Sequence, residues 1–222
     1  MRDIIQIEPI SMQSFVFFIL LSCLLGLWGD LFISKCHADE SQWQAEKFNQ
    51  HILVSSSTLA GIYQINAKMY VQATPDEFFA VLEDAVNNCQ WIANCKSVDM
   101  LNNSLHDTRF VHTVFDSPWP VVDREMYTRS VHQFSEDHQH LSIIIEDIAD
   151  SYPAHPQRVM IRNVHAQWSM THFHQGWYEL SYLASADPGG NIPQWLSKQL
   201  LKDSTSTTFK RLREKLHADK SR

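Results

Sequence analysis

Between Ser97 and Ala184 the chain carries a succession of short runs of β-branched and aromatic residues, separated by turn residues. Runs of this kind predict consecutive strands of an antiparallel meander. The predicted strands are Ser97–Asn102, Arg109–Phe115, Val122–His132, Leu141–Ile148, Arg158–Val164, Gln167–Phe173 and Gly176–Ala184. Such a sheet has an apolar face, which it must bury against another element of the chain.

The segment after the meander has the pattern of a long amphipathic helix. Mostly apolar residues recur in it at helical spacing and so lie along one face. This stripe consists of Ile192, Trp195, Leu196, Gln199, Leu200, Phe209, Leu212 and Leu216. Within it, the segment Ser204–Thr207 (STST) is interpreted as a loop-like weak point, and it is the candidate hinge of the C-terminal helix.

Upstream of the meander, the sequence predicts a strand followed by a helix. Gly61–Gln72 alternates apolar and polar residues with the period of a strand. Thr74, Pro75 and Glu77 then form a helix start, because Thr can cap, Pro suits the first helical position and Glu completes a capping box. The apolar side chains that this helix would bury are Phe78, Phe79, Val81 and Leu82.

Two segments lie before this strand. Ser41–Gln50 has Trp43, Ala45 and Phe48 at a spacing that predicts a short helix. The Ser-rich segment Val54–Thr58 is interpreted as a loop. The predicted class is therefore α+β, in which a curved antiparallel sheet wraps around a long C-terminal helix and leaves an internal cavity between them.

The length and charge of the chain limit the functions to consider. A chain of 222 residues suits one domain with a substantial core. The formal net charge of −7 argues against a nucleic-acid partner, because phosphate binding requires clustered Lys and Arg. We therefore place the function in the predicted cavity.

The N-terminus differs from the rest of the chain. Phe15–Trp28 is an uncharged apolar run, and Cys36 and Ala38 are small residues suited to positions −3 and −1 of a signal-peptidase site. We predict that residues 1–38 are a signal peptide, that residues 39–222 form the domain, and that the protein is periplasmic or secreted. An uncleaved anchor over Pro9–Gly29 and a lipoprotein that uses Cys23 are the alternatives.

Two of the four cysteines remain after the predicted cleavage. Cys89 and Cys95 lie in the segment NNCQWIANC, close enough in sequence to close a small loop. In an exported protein this pair favours a disulfide. Two buried free thiols and a redox-active pair are the alternatives, although the spacing is not Cys-x-x-Cys.

Four segments follow one another along the chain: Gly61–Ile65 (GIYQI), Pro118–Glu125 (PWPVVDRE), Arg158–Trp168 (RVMIRNVHAQW) and Leu180–Leu196 (LSYLASADPGGNIPQWL). In this order they resemble the START (StAR-related lipid-transfer) domain family over roughly Trp43–Leu216. The last is the most specific, because Tyr182 stands five residues before Asp187 and a Gly-Gly-x-Ile-Pro-x-Trp-Leu run opens the final helix. In the second, Glu125 replaces the usual Asp.

The resemblance implies a helix-grip (START/Bet v 1-like) fold and a function. A monomer without a cofactor would shelter or transfer a lipid or other hydrophobic small molecule in its cavity. The C-terminal helix and adjacent loops would open during transient contact with a membrane surface. The alternatives are a cavity enzyme of the aromatase/cyclase type and an interaction module whose cavity is filled by side chains; the sequence contains no Gly-x-Ser-x-Gly nucleophile elbow.

The segment Ser117–Tyr127 contains Arg124, a charged residue near the start of a predicted strand. Pro118 and Pro120 restrict the loop, and strand alternation then puts Arg124 on the same face as Met126. If Met126 faces the core, Arg124 enters the interior, where a guanidinium needs Asp187, Asp150 or a ligand head group as partner. Arg124 and Met126 are both candidate cavity residues.

Two departures from the family pattern bear on the ligand. Several family members place a second arginine at the position of Ser130, and the cholesterol-carrying branch can place a glutamate at the position of Val111. The cavity therefore carries less charge than in those relatives. This favours a neutral ligand over a phospholipid.

The remaining candidate cavity residues are His112, Trp168, Tyr178, Tyr182, Trp195 and Leu200. His112 lies among apolar residues and could contact a ligand hydroxyl, although a core histidine is the alternative. The aromatic residues are equally compatible with an ordinary core. The pairs His138/His140 and His172/His174 lack the further ligands that a metal site requires, so we predict none.

Overall fold

The computed structural model describes residues 44–49 (backbone only), 52–101, 106–117 and 121–219. The predicted signal peptide lies outside these residues, as do Pro118 and Pro120. Within the described part of the chain we find no helix that combines the length and the apolar character of a membrane span.

Ten strands of the described residues form one sheet. They are β1 (Gln44–Asn49), β2 (Ile52–Leu59), β3 (Ile62–Val71), β4 (Cys95–Met100), β5 (Thr108–Phe115), β6 (Arg124–Phe134), β7 (His140–Asp147), β8 (Val159–Met160), β9 (Arg162–His174) and β10 (Trp177–Asp187). The order across the sheet is β1-β2-β3-β10-β9-β7-β6-β5-β4, with antiparallel neighbours throughout. The short β8 pairs in parallel with the start of β6.

Three α-helices and a 3₁₀ turn complete the described fold. They are α1 (Pro75–Glu83), α2 (Asn88–Trp91), the turn Ala149–Ser151 and α3 (Gln194–Asp219). The predicted capping box of α1 is confirmed: Thr74 Oγ1 accepts from Glu77 N at 3.2 Å, and Glu77 Oε2 accepts from Thr74 N at 2.7 Å. The confirmed class is a curved antiparallel sheet with a C-terminal helix, the helix-grip architecture.

The core lies between one face of the sheet and the second half of α3. The buried side chains of this half are Thr205, Phe209, Leu212 and Leu216. Trp168 of β9 lies at the centre, with ring centroids 5.4 Å from both Phe78 of α1 and Phe209 of α3. These contacts join the sheet to both helices.

Two predictions near the N-terminus are wrong. Residues 44–49, predicted as helix, form strand β1, and residues 54–58, predicted as a loop, lie within β2. In both cases a partner strand supplies backbone hydrogen bonds, because β2 pairs with β1 on one side and β3 on the other. Short segments take the structure that their neighbours permit, since a ten-residue helix has little stability of its own.

Two further predictions need correction. The strands predicted over 158–164 and 167–173 are the two-residue β8 and one continuous strand, β9. The STST segment is not a loop, because α3 runs through it without a break. Thr205 Oγ1 donates to the Leu201 carbonyl at 2.8 Å, so its hydroxyl bonds within the helix instead of ending it.

The loop into α3 packs closely on β8. Gly189 has φ of +63°, and a Cβ at this position would lie 2.8 Å from the Met160 carbonyl oxygen. Only glycine fits this backbone and this approach. The DPGG segment therefore packs against β8 shortly before α3 begins.

Candidate functional site

A cavity of about 330 Å³ lies between the core face of the sheet and the helices. The strand residues that line it are Val98, Met100, Arg109, Val111, Thr113, Phe115, Met126, Thr128, Ser130, His132, Ile143, Ile145, Val164, Ala166, Trp168, Tyr182, Ala184, Ser185 and Ala186. Most of them are apolar, and the cavity is continuous with the core cluster around Trp168.

The cavity exists because one cross-strand row carries small side chains. Tyr182, Trp168, Ile143 and His132 form one row across β10, β9, β7 and β6. The next row on this face begins with Ala184 and Ala166, paired with each other, and continues through Ile145 and Ser130. The large row forms a wall, and the two alanines leave the space beside it.

Helices α1 and α3 close the cavity from above. Phe79 and Leu82 of α1 and Leu201, Ser204, Thr205, Thr208 and Phe209 of α3 line it. The segment Cys89–Cys95, which we call the disulfide loop, contributes Trp91, Ile92 and Ala93. The predicted disulfide between Cys89 and Cys95 is confirmed, with a Cα–Cα distance of 4.8 Å.

Hydrogen bonds tie the disulfide loop to α3. Ala93 N donates to Thr208 Oγ1 at 3.0 Å, and Asn94 Nδ2 donates to Ser204 Oγ at 3.1 Å. Hydroxyl groups in and next to the STST segment therefore connect α3 to a covalently closed loop of the cavity wall. A disulfide is typical of proteins that fold in an oxidising compartment.

The charged residues among the described lining residues form one ion pair. Arg109 of β5 donates from Nε and Nη2 to both carboxylate oxygens of Glu83 at 2.9–3.1 Å. Both side chains are partly buried, at 22% and 33% exposure. Their charges cancel at the cavity wall.

His132 lies at the end of the large row, next to this ion pair. Its ring packs 4.4 Å from the ring of Phe79, centroid to centroid. Burial lowers the pKa of His132, and the positive charge of Arg109 lowers it further. The imidazole is therefore mainly neutral at pH 7, and it adds no charge to the cavity.

Tyr182 faces the cavity from the other end of that row. Its ring lies 4.3 Å from that of Trp168 and 6.4 Å from that of Phe209. Burial raises the pKa of Tyr182 to about 12, so the phenol stays protonated. No hydrogen-bond partner for its hydroxyl is found among the described residues.

The structure brings three of the predicted cavity residues together. Met126, Trp168 and Tyr182 all line the cavity. They lie on three different strands of the same sheet face. That they contact a ligand remains a prediction.

Three other candidates are outside the cavity lining. Tyr178 shares the face of Tyr182 but lies beyond the cavity, where its hydroxyl bonds Gln139 Oε1 at 2.8 Å. Trp195, in the first turn of α3, is 70% exposed. Leu200 is half-buried but faces away, because the stripe that meets the cavity passes through Leu201 instead.

His112 lies on the opposite face of the sheet. Alternation along β5 directs Val111 and Thr113 into the cavity and His112 away from it. Its Nε2 is 3.1 Å from Glu125 Oε2, and its ring stacks on Tyr127 at 4.2 Å. The apolar neighbours that suggested an inward position belong partly to a second packed layer.

Glu125, which precedes Met126, anchors that outer layer. It is 1% exposed and accepts from His155 N at 2.8 Å and Arg158 Nη1 at 3.2 Å, besides the contact with His112. Burial raises the pKa of Glu125, but these hydrogen bonds outweigh the burial, and the net pKa is lowered. Through these hydrogen bonds the carboxylate holds the loop before β8 against the sheet face opposite the cavity.

Arg124 is buried, as predicted, but its partners are not those expected. Its Nη1 donates to Val122 O at 2.6 Å and Ser117 Oγ at 3.4 Å, and its Nε donates to Pro188 O at 3.2 Å. No described carboxylate pairs with it, since Asp150 pairs with Arg162. Arg124 thus joins the loop before β6 to the loop that leads into α3, and it is outside the cavity lining.

Sequence reasoning missed Glu83, Arg109 and His132. Strand alternation from Met126 extends to His132, so that signal was available. The ion pair had no local signal, because Glu83 and Arg109 are 26 residues apart and meet only when α1 packs across β5. In the described part of the chain no three His, Cys, Asp or Glu side chains lie within reach of one metal ion.

Solved structures with the same fold include lipid-transfer proteins. The STAR-related lipid transfer protein of Xanthomonas axonopodis is 24% identical, with a TM-score of 0.71 over 79% of this chain and 98% of that chain. Human StAR-related lipid transfer protein 5 is 13% identical, with a TM-score of 0.71 over 93% and 97%. An aromatase/cyclase of a Streptomyces species has a TM-score of 0.50 at 8% identity, over 69% and 93%.

The sequence itself also has relatives. It is 28% identical over 136 residues to an uncharacterized protein of Pseudomonas aeruginosa, a match that covers 60% of this chain and 65% of that protein. Residues 30–222 match the START domain. With the helix-grip fold and the cavity in place, this match over most of the chain means that the protein belongs to the START domain family.

Proposed function

We propose that the protein is an exported carrier that binds a lipid or other hydrophobic small molecule in the cavity. The observation that carries the proposal is the cavity itself, about 330 Å³ lined mainly by apolar side chains of the sheet and of helices α1 and α3. Burying apolar ligand surface there is favourable by about 25 cal/mol per Å². Clefts of about 300–1,000 Å³ are typical of sites for small hydrophobic ligands.

The first half of α3, Gln194–Ser204, is the proposed gate. None of its described side chains is buried, whereas the second half contributes Thr205, Phe209, Leu212 and Leu216 to the core. Segments with few buried contacts open at the lowest free-energy cost. Because Leu201 and Ser204 line the cavity, displacement of this half would uncover it.

Trp195 and its surroundings suit the proposed contact with a membrane surface. The Trp195 side chain belongs to the gate and is 70% exposed. Lys198 lies one turn further along, with its Nζ 5.0 Å from the Tyr63 ring centroid. An exposed Trp beside a Lys is typical of residues at a lipid interface. The proposed carrier acts as a monomer, with residues 1–38 as its signal peptide and residues 39–222 as its domain, in the periplasm or outside the cell.

Extraction of the purified full-length protein tests the binding proposal. Native mass spectrometry followed by organic extraction should recover one apolar molecule per chain, chemically unchanged. An empty protein that also takes up no fluorescent lipid would contradict the carrier. Recovery of a converted product would favour a cavity enzyme, the alternative with the same fold.

A cavity-filling variant makes this test specific. Ala166→Leu places a larger side chain in the floor of the cavity, and bound ligand should fall at least tenfold. Gln167→Leu is the matched control, because the neighbouring side chain is exposed on the other face of β9. Equal occupancy in both variants would place the ligand outside this cavity.

A crosslink tests the gate. Tyr63→Cys with Lys198→Cys, joined by a bifunctional thiol crosslinker long enough to replace the two side chains, would hold the first half of α3 against β3. Ligand exchange should slow by at least tenfold without loss of the fold, and the same double variant before crosslinking should exchange normally. If exchange stays fast after crosslinking, another part of the protein opens.

A further inference from the structure

The chemistry of the cavity wall indicates the charge of its ligand. Among the described lining residues, the negative charge of Glu83 is matched by the positive charge of Arg109, and His132 is mainly neutral at pH 7. A carboxylate or phosphate that entered would lose its hydration without gaining an unpaired positive charge. The wall therefore disfavours ionised groups.

The hydroxyl of Tyr182 is a phenol without a described hydrogen-bond partner in this wall; the lining hydroxyls of Thr113, Thr128, Ser130 and Ser185 also lack one, but they are aliphatic and weaker donors. Two other tyrosines of the β3–β10 region have partners, since Tyr70 donates to Glu179 Oε2 at 2.9 Å and Tyr178 donates to Gln139 Oε1 at 2.8 Å. Tyr63 also lacks a partner, but it does not line the cavity. Tyr182 differs from all three because its ring borders the empty space.

The Tyr182 hydroxyl is open to the cavity, since the side chain is half-buried and its oxygen is not among the fully buried unpaired atoms. Burial of the ring raises the pKa of Tyr182 to about 12, so the group is a neutral donor at pH 7. A ligand that fills the cavity displaces solvent from this hydroxyl, and a ligand without an acceptor would leave the donor unpaired. A ligand that brings an acceptor to this position avoids that cost.

We infer that the ligand is a compact uncharged molecule with a hydroxyl or carbonyl group, and that the Tyr182 hydroxyl donates a hydrogen bond to that group. The inference rests on the proposed function, because it specifies the ligand of the same cavity. A volume of about 330 Å³ is at the lower end of the range for small-molecule sites, which is why the molecule is compact. Tyr182 is then the residue that determines specificity.

Three pyrene derivatives of similar size test this inference. Pyrenebutanol is an uncharged alcohol, pyrenebutyrate is an anion and butylpyrene is a hydrocarbon. Binding to the full-length protein can be followed through energy transfer from tryptophan, since Trp168 borders the cavity. Wild type should bind the alcohol about fivefold to tenfold more tightly than the hydrocarbon, and should bind the anion weakest.

Two variants separate the hydroxyl from the ring. Tyr182→Phe removes only the hydroxyl and should weaken pyrenebutanol binding about fivefold to tenfold, while butylpyrene binding changes less than twofold. Tyr178→Phe removes a buried hydroxyl on the same strand outside the cavity, and it should change neither affinity.

Four outcomes would overturn the inference. The first three are equal binding of alcohol and hydrocarbon by wild type, tightest binding of the anion, and an unchanged preference for the alcohol in Tyr182→Phe. The fourth is that no derivative binds, in which case the inferred ligand class is wrong. The extraction experiment then shows separately whether the cavity carries another molecule, so the failure of the inference is distinguished from failure of the proposed function.

Discussion

Arg109 of β5 forms a bidentate ion pair with the carboxylate of Glu83, the last residue of α1. The Nη2–Oε2 distance is 2.9 Å and the Nε–Oε1 distance is 3.1 Å. The pair crosses from helix to sheet at the cavity wall. The pair does not involve Val111 or Ser130, the two positions at which some family members carry a charged residue. Ser130 is nevertheless the cross-strand partner of Arg109. The cavity thus has a charged pair whose charges cancel.

Removal of one charge from this pair should change ligand preference. Glu83→Gln leaves the positive charge of Arg109 without its carboxylate, so the affinity for pyrenebutyrate should rise roughly tenfold relative to pyrenebutanol. Stability should fall by only about 1 kcal/mol, because the pair is partly exposed. Titration with both derivatives, followed by tryptophan energy transfer, measures the ratio.

The control for this charge change is Glu179→Gln. Glu179 pairs with Lys68 at 2.8 Å and is not among the residues that line the cavity. Its neutralisation should leave the ratio of the two affinities unchanged. An equal rise in both variants would mean that pyrenebutyrate responds to overall protein charge and not to the cavity wall.

The disulfide should stabilise both the fold and the cavity. Opening the loop between Cys89 and Cys95 is expected to lower the free energy of unfolding by about 2 kcal/mol, because a short closed loop restricts the unfolded chain. For a chain of this size the melting temperature should fall by about 4–8 °C. Thermal unfolding with and without reductant measures the shift.

Ligand affinity should fall with the same treatment, since Trp91, Ile92 and Ala93 of the disulfide loop line the cavity. A double variant, Cys89→Ala with Cys95→Ala, is the control. It should melt at the temperature of the reduced wild type and should not respond to reductant. A response of the double variant would trace the effect to another group.

The parts of the fold that were predictable had strong local signals. The capping box at Thr74 fixed the start of α1, and strand alternation placed β5 and β6 within two residues of their observed starts. Two of the errors fell on β1 and β2 at one edge of the sheet. There the pairing partner decides the structure, and a single sequence does not contain the pairing.

The site was predictable where one strand's alternation was sufficient, and not where register or helix phase was needed. Met126 follows from alternation, and Tyr182 was favoured by the family resemblance. His112 was assigned to the wrong face, because apolar neighbours do not distinguish the core from a second packed layer. Leu200 was taken for its neighbour Leu201, since one residue turns a helix by about 100°.

Arg124 should contribute to stability because its planar guanidinium group donates several hydrogen bonds at once. Arg124→Lys cannot hold Val122 O, Ser117 Oγ and Pro188 O at once, so we expect a loss of about 2–3 kcal/mol in the free energy of unfolding. The loop that leads into α3 should loosen, and ligand exchange should become faster. Urea denaturation and exchange of pyrenebutanol measure the two effects.

Arg129→Lys is the matched control for this substitution. Arg129 is on the same strand, but it is 45% exposed and pairs with the similarly exposed Glu146. Such surface pairs contribute roughly 0.5 kcal/mol, so this variant should unfold close to wild type. If both variants lose the same stability, the effect belongs to arginine replacement on β6 in general and not to the contacts of Arg124.

His132 should make stability depend on pH in the range just below neutrality. Its pKa in the folded protein is below the ordinary value of 6.5, mainly through burial and secondly through Arg109, while Glu83 and Asp107 oppose the shift and His106 adds to it. The unfolded chain therefore binds the proton more readily than the folded one. As pH falls below about 6.5, this contribution to stability decreases, and the loss is complete below the folded pKa.

Two variants without a titrating group test this dependence. His132→Gln and His132→Phe differ in how they pack beside Phe79, so their stabilities at pH 7.5 should differ. Both should nevertheless lose less stability than wild type between pH 7.5 and 5.5, measured by urea denaturation at each pH. If both keep the wild-type slope, the proton is taken up by another histidine, and burial at this position has no consequence for folding in that range.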